Sequence, residues 1–485
     1  MNISGNLEKD VTSLKKLLPA EDILTFDFIS SEGLSFTAIF ADPLTDKELL
    51  GEQVVRSLLQ YEGKPTAEEI EKHITSPERR TQKELNKLAE EILTGNPVLL
   101  WEGMDEAIIV GTKKVFVRSI AEPSTDIAVK GPREGFIEDI KINTSLVRRR
   151  LKTPELKIEF MNVGRRSNTF VAVCYLDGTS VQPIVEEVKQ KLSEIDIDVI
   201  PDSSYLTHFL SSRPYSLLKQ IGTTEKPDIF CAKIAEGRVG ILVDGSPIAL
   251  TAPYVLLEDF QSSEDYFVPS YRATFTRILR LLSVIVAVYL PAFYVSAQLF
   301  KLQLFPMRLL LTIAGAIKDI PFSPSLEMLL VLFVLEVLNE ASIRMPKYVG
   351  MALSIVGALV LGETAVSAGF VSTPAIIIIA FSGIGLYAVP NLIEITSVLR
   401  LIMLLIAGSV GTYGIILASA FILLYIVTTD NFGTPVLAPF SPLLGKDLRD
   451  SLIKFNLGSL TTRPRTIGSK NKTRLKRKKT QKENQ

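Results

Sequence analysis

Four glutamates standing in otherwise apolar sequence are the residues of this chain best placed to do chemistry: Glu327, Glu336, Glu340 and Glu363. A charged side chain at the centre of a membrane-spanning helix costs about 2.5–3.5 kcal/mol on insertion scales, so it must face water or a partner. Glu336 and Glu340 are four residues apart and share one helix face, while Glu327 points roughly the opposite way. Arg344 follows Glu340 by four residues, the spacing of a local ion pair at a membrane surface. Glu336 lies deeper and has no basic residue at helical spacing. Two chemistries follow. Glu336, Glu340 and Glu363 could form a wet acidic pathway for cations when several copies gather round an axis, or Glu340 and Arg344 could simply neutralise each other.

A strip of small residues runs through the next segment: Gly350, Ser354, Gly357, Ala358, Gly362 and Ala365 recur at three- and four-residue steps. Such a strip lets helices approach closely, and round an axis it could equally line a narrow pore.

These residues need a membrane block to position them, and the chain supplies one. From about Ile278 to Val427 the sequence is almost continuously apolar, after nearly 280 residues of ordinary soluble composition. The first span reads as Ile278–Leu299, with Arg272, Arg277 and Arg280 on its N-terminal side. Residues 302–320 carry Pro306, Arg308, Lys318 and Asp319 and read as an interfacial or re-entrant helix. Further apolar stretches are 324–343, 348–368 and 373–389. The run 396–428 is too long for one simple span, with three glycines at its centre (Gly408, Gly411, Gly414) that could bend it. Basic residues before the first span and in the C-terminal segment place both on the inside, so four to six spans, even in number, are expected.

The soluble region mixes strand and helix patterns. Hairpins are expected at 27–41 and 155–175, strands at 196–200, 229–233, 238–243 and 246–250, and helices at 46–60, 138–151 and 181–195. The fold class is therefore an α/β soluble N-terminal region of two subdomains followed by an all-α polytopic membrane domain. Its divisions are 1–125, 126–270, 271–430 and a basic cytoplasmic tail, 431–485. Formal net charge is zero over 485 residues, yet 463–482 holds ten Lys or Arg and no acid. Beside a membrane block that tail reads as a lipid-headgroup anchor, and nucleic-acid binding is not expected.

No phosphate-binding loop, zinc-protease helix, nucleophile elbow or dinucleotide fingerprint is present, so an enzyme is not expected, nor a cofactor or metal. Cys174 and Cys231 read as buried free thiols, and His73 and His208 as surface residues without a role. The first 24 residues have acids and lysines where a signal peptide needs an apolar core, which keeps the soluble region cytoplasmic.

Several segments in order resemble the A subunits of GerA-type spore germinant receptors. They are GPREGFIEDIKINTSLVRRRLKTPELK (131–157), KPDIFCAKIAEGRVGILVDGSPIALTAPYVLLEDFQSSEDYF (226–267), LPAFY (290–294), Pro321-Phe322 before Glu327, EASIRMP (340–346) and PVLAPFSP (435–442). The resemblance implies a membrane subunit of a nutrient receptor that triggers germination, in the spore inner membrane. It implies a transporter-like B subunit that binds the nutrient and a lipoprotein C subunit as partners. It also implies assembly of this chain into a homo-oligomeric, germinant-gated cation channel. The alternative is a non-conducting scaffold that relays the signal. Where the pattern has a neutral residue this chain has Glu363, which would make a pore more cation-selective.

Overall fold

Alternating apolar residues fold Ile23–Ile29 (β1) and Ser35–Ala41 (β2) into an antiparallel hairpin that opens the chain's first sheet. The computed structural model describes residues 2–114, 130–344, 349, 355, 357 and 360–475, with only the backbone of 343, 360 and 361. Helix α1 (Leu7–Leu17) precedes the hairpin. A helical run, α2 (47–59), and α3 (Ala67–His73) follow, then β3 (Arg79–Gln82), α4 (Leu85–Thr94), β4 (Val98–Trp101) and β5 (Ala107–Val110). The strands lie in the order β1-β2-β4-β5-β3. Fully buried β4 and β5 carry Val98, Leu100, Trp101 and Ile108 into a core shared with Phe36, Leu88 and Ile92.

The second subdomain repeats this plan. Its elements are α5 (Ile140–Arg150), β6 (Leu156–Val163), β7 (Thr169–Leu176), α6 (Gln182–Ser193), α7 (Ser203–Leu210), β8 (Gly222–Thr224), α8 (Pro227–Ala235), β9 (Val239–Val243) and β10 (Ala249–Ala252). The order β6-β7-β9-β10-β8 is the first sheet's order shifted by five, and helices fall at the same places. Two copies of one α-β-β-α-α-β-α-β-β unit therefore stand in tandem. Among the described residues the strand pairs of both sheets are antiparallel.

Residues 229–233, expected as a strand, are helical within α8. Pro227 sits in its first turn, where a missing N–H costs nothing, and Phe230 and Ile234 bury at a four-residue step. Residues 196–200, read as a strand, form none. The arginine run of the family-like motif is committed to ion pairs within this unit. Arg148, fully buried, donates from Nε (2.9 Å) and Nη2 (2.6 Å) to the buried Asp22 carboxylate, joining the two repeats. Arg149 and Arg150 both bind Glu134.

The chain separates into two units: 1–255 with 430–434 and 457–485, and 256–429 with 435–456. The first returns late in sequence, so the expected free tail at 431–485 is divided. Arg463 Nε donates to Ala235 O (2.7 Å) and the Lys470 N–H to Thr179 O (3.2 Å), docking this stretch on the second repeat. Residues 476–485, the most basic part of the expected lipid anchor, lie outside the described residues.

The helical unit comprises α9 (Ser270–Phe300), α10 (Met307–Ile317), α11 (Pro324–Arg344), α12 (Thr373–Tyr387) and α13 (Ile393–Thr428). Among the described residues two segments, Ser270–Phe300 and Pro390–Thr428, are long and apolar enough to cross a membrane; α10 and α12 are shorter apolar helices. Helix α11 carries Glu327, Glu336, Glu340 and Arg344, too many charges to count by composition alone. Within α13, Gly411 leaves helical geometry (φ 70°, ψ −152°). A Cβ at Gly414 would sit 2.7 Å from Ile406 Cγ2, eight residues back. In a straight helix eight residues rise about 12 Å, so α13 folds back on itself as a helical hairpin.

Candidate functional site in the helical unit

Pro291 lies inside α9. Proline has no N–H, so the carbonyl four residues earlier, at Ala287, loses its helical donor. Ser382 on α12 replaces it, its Oγ donating to Ala287 O at 2.7 Å. The Ser382 Oγ in turn accepts from Arg400 Nη1 (3.0 Å), and Arg400 Nη2 donates to Glu336 Oε1 at 2.5 Å. One relay thus ties α9, α12, the rising arm of α13 and α11. Arg400 is fully buried, whereas the Glu336 side chain is 39% exposed. Arg400 Nε has no partner among the described residues.

Glu336, which has no basic residue at helical spacing, takes its counter-charge from a different helix, 64 residues on in sequence. Arg400 is the only basic residue in the apolar run 373–428, and that rarity was the signal that it must be paired. Glu340 pairs with Arg344 at 2.6 Å, both exposed. Tyr387 Oη donates to Asn339 Oδ1 (2.7 Å) on the same exposed end of α11. Glu363 and Gly362 are exposed in a single π-helical turn, Val360–Thr364, with open space beside Gly362. Among the described residues no hydrogen bond or ion pair brings them to Glu336. Gly357 packs against Leu338, whose Cδ1 lies 3.0 Å from where a Cβ would stand. Gly350 and Ser354 lie outside the described residues. Glu327 is only 1% exposed, and Oε1 accepts the Ser372 N–H at 2.5 Å.

The contacts order the helices. Taking the start of α9 as the foot, Gly411 and Thr412 meet Phe300 and Ser296 at the top. Ser325 lies by Gly408 near the top and Glu336 by Arg400 lower down, so α11 descends. Helix α12 also descends, from Ser372 beside Glu327 to Gly385 beside Ser283. Residues 357 and 365–366, beside Leu338 and in the upper apolar cluster respectively, belong to an ascending segment. Helix α10 packs Ile313 and Ile317 into that same upper cluster.

A second polar cluster closes the foot. Asp265 accepts from Arg277 Nε (3.0 Å) and from Arg280 Nη1 (2.9 Å) and Nη2 (3.1 Å). Asp450 accepts from Arg277 Nη1 (3.2 Å) and Tyr266 Oη (3.1 Å), and Lys454 Nζ donates to Asp265 O at 2.5 Å. Burial lowers the Lys454 ammonium from its ordinary range, and Arg277 adds to the lowering. Arg277 and Arg280, read in the sequence as setting the orientation of the first span, are committed to this cluster. In the soluble unit, burial raises both thiols, Cys231 to about 12 and Cys174 further still, so both are protonated and inert at neutral pH.

A family model described as Bacillus/Clostridium GerA spore germination protein matches residues 12–466. The chain is 34% identical to Spore germination protein KA of Bacillus subtilis (strain 168) over 97% of this chain and 88% of that one. It is 34% identical to Spore germination protein GerLA of Bacillus cereus over 98% of each. It is 32% identical to Uncharacterized membrane protein YfkQ of Bacillus subtilis (strain 168), covering 97% and 93%. The crystal structure of the N-terminal domain of the A subunit of the Bacillus megaterium spore germinant receptor GerK3 aligns with 52% of this chain and 96% of its own, at TM-score 0.41 and 24% identity.

Proposed function

Because the chain belongs to the GerA spore germination family, the A subunits of germinant receptors, we propose that it acts in the spore inner membrane as a subunit that passes cations when a partner binds nutrient. In this reading α9, α11, the ascending segment through 366, α12 and the two arms of α13 each cross the bilayer, six crossings, with α10 lying at the outer face. An even number returns the chain to the side it left, and the foot cluster joining Arg277 to Asp450 is what such a return requires. The soluble unit then stays cytoplasmic.

The observation that carries the channel reading is the polar strip on the outer face of α11. Glu336, Asn339, Glu340 and Tyr387 are wholly or partly exposed in a surface otherwise made of Leu326, Leu330, Phe333 and Val337. Hydrocarbon does not solvate such a strip, so it faces water or another copy of the chain. A transporter-like B subunit and a lipoprotein C subunit are the proposed partners. Nutrient need only bind better to the open arrangement to shift its population. The scaffold reading draws on the Arg400 pairing, which leaves Glu336 little net charge with which to concentrate cations.

The deciding measurement is the detergent-corrected mass of the full chain by light scattering. A discrete homo-oligomer of several copies is expected. A monomer that persists with its partner subunits present moves the ion pathway elsewhere and leaves this chain a scaffold.

A further inference from the structure

Between α7 and β8 the chain makes a loop, 213–219, with a clamped neck and an exposed crown. Gln220, only 3% exposed, is the clamp: its Oε1 accepts the N–H groups of Ser212 (2.8 Å) and Arg213 (3.2 Å), and its Nε2 donates to Arg213 O (2.9 Å). Lys191 on α6 holds the approach to the neck, donating from Nζ to Leu210 O and Ser212 Oγ, each at 3.0 Å. Leu218 is buried beneath the loop, while Tyr215 at its crown is 100% exposed and Leu217 is 51% exposed. A single exposed aromatic is ordinary on a protein surface. Here a buried amide fixes the backbone that presents it, so the loop is ordered before any partner arrives.

Composition gives the chemistry of that partner. Residues 203–220 contain His208, Arg213 and Lys219 and no Asp or Glu. Helix α7 leads into the loop with Tyr205 and Phe209 exposed four residues apart on one face. Aromatic rings beside basic residues, with no acid among them, suit the headgroup layer of a membrane, where the ring meets the acyl boundary and the cation meets phosphate.

Chain connection is the independent observation. Residues 430–434 belong to the α/β unit and meet both ends of the loop. Asp430 pairs with Arg213 at 3.5 Å, and Asn431 Nδ2 donates to Gln220 O. Phe432 is buried in the core of the second repeat, with Lys191 Nζ 4.4 Å from its ring centre. Asp430 follows the end of the apolar segment Pro390–Thr428 by two residues. Consecutive Cα atoms stand about 3.8 Å apart, so at most about 7.6 Å of chain separates Thr428 from the residue paired with the loop.

We propose that residues 213–219 dock on an anionic phospholipid surface where α13 leaves the bilayer, with the Tyr215 ring among the headgroups and Lys219 facing lipid phosphate. Asp430 offsets Arg213, which leaves the ring as the main anchor. This inference rests on the membrane reading proposed above, and its test separates the two.

The test is spin labelling of the full chain in nanodiscs containing phosphatidylglycerol. Cys174 and Cys231 are buried, so the label goes to an added cysteine. Leu217→Cys places it beside an intact Tyr215, and Phe421→Cys, exposed on the second arm of α13, is the membrane reference. Collisions with oxygen, which concentrates in the bilayer, are compared with collisions with a water-soluble nickel chelate. Oxygen is expected to dominate at both positions. Adding Tyr215→Ser should shift the label at position 217 toward nickel and leave that at position 421 unchanged. Nickel dominant at 217 with oxygen dominant at 421 overturns the docking and leaves the membrane reading standing. Nickel dominant at both overturns both. A label at 217 shielded from both reagents assigns the loop to a protein partner and overturns the proposal, as does a label at 217 indifferent to Tyr215→Ser.

Discussion

Neutralising Glu336 alone would leave Arg400 in the interior of the helical unit with only the Ser382 hydroxyl for company. Breaking a buried pair by deleting one partner typically costs 3–5 kcal/mol, and the 39% exposure of Glu336 reduces that figure. We therefore expect Glu336→Gln to lower stability by about 2 kcal/mol, seen as a fall in Tm in detergent. Adding Arg400→Met should recover most of the loss; a double variant no better than the single would show that the pair is not coupled. Glu340→Gln, at an exposed i,i+4 pair, should shift stability by less than about 0.5 kcal/mol. Conductance lost in Glu336→Gln is thus interpretable only beside the double variant. In the soluble unit, Arg148→Ala strands Asp22 without a counter-charge, and a loss of about 3 kcal/mol is expected in chemical denaturation of the full chain.

Helix α13 depends on one backbone position. Gly411 has φ 70°, and a Cβ there would stand 2.7 Å from the Phe300 ring. A side chain therefore meets both an unfavourable backbone and an aromatic ring packed at the top of α9. Gly411→Val should prevent the fold-back of the two arms and show as aggregation on size exclusion, whereas Gly362→Ala, with open space about it, should run as wild type. Equal profiles for Gly411→Val and wild type would mean that the hairpin does not rest on this residue. The same logic explains Pro291: the Ala287 carbonyl it frees is the acceptor that positions Ser382 and, through it, Arg400.

For the whole molecule, the tandem repeat in the α/β unit and the exposed polar residues of the helical unit set what can be asked of it. Each repeat buries its own sheet against its own helices, and Arg148–Asp22 locks one to the other, so the two should unfold as one cooperative step. The helical unit leaves Glu340 and Tyr387 exposed on its outer face, and a single copy does not enclose them. The detergent mass measurement decides whether other copies do.

Composition and periodicity were enough to read the apolar helical block, the hairpins at 27–41 and 155–175, the helices at 138–151 and 181–195, and the bend among Gly408, Gly411 and Gly414. Each of these is a local property of consecutive residues. Residues 229–233 were misread as a strand because a short buried helix and a buried strand carry equally apolar runs. The duplication escaped notice because strand order is set by pairing across a sheet, which two diverged sequences can share without sharing residues. Partners such as Arg400 for Glu336, Asp22 for Arg148 and Ser372 for Glu327 lie between 45 and 126 residues apart. A lone charge in apolar sequence announces that a partner must exist; only the packing of one helix or sheet on another decides which residue it is.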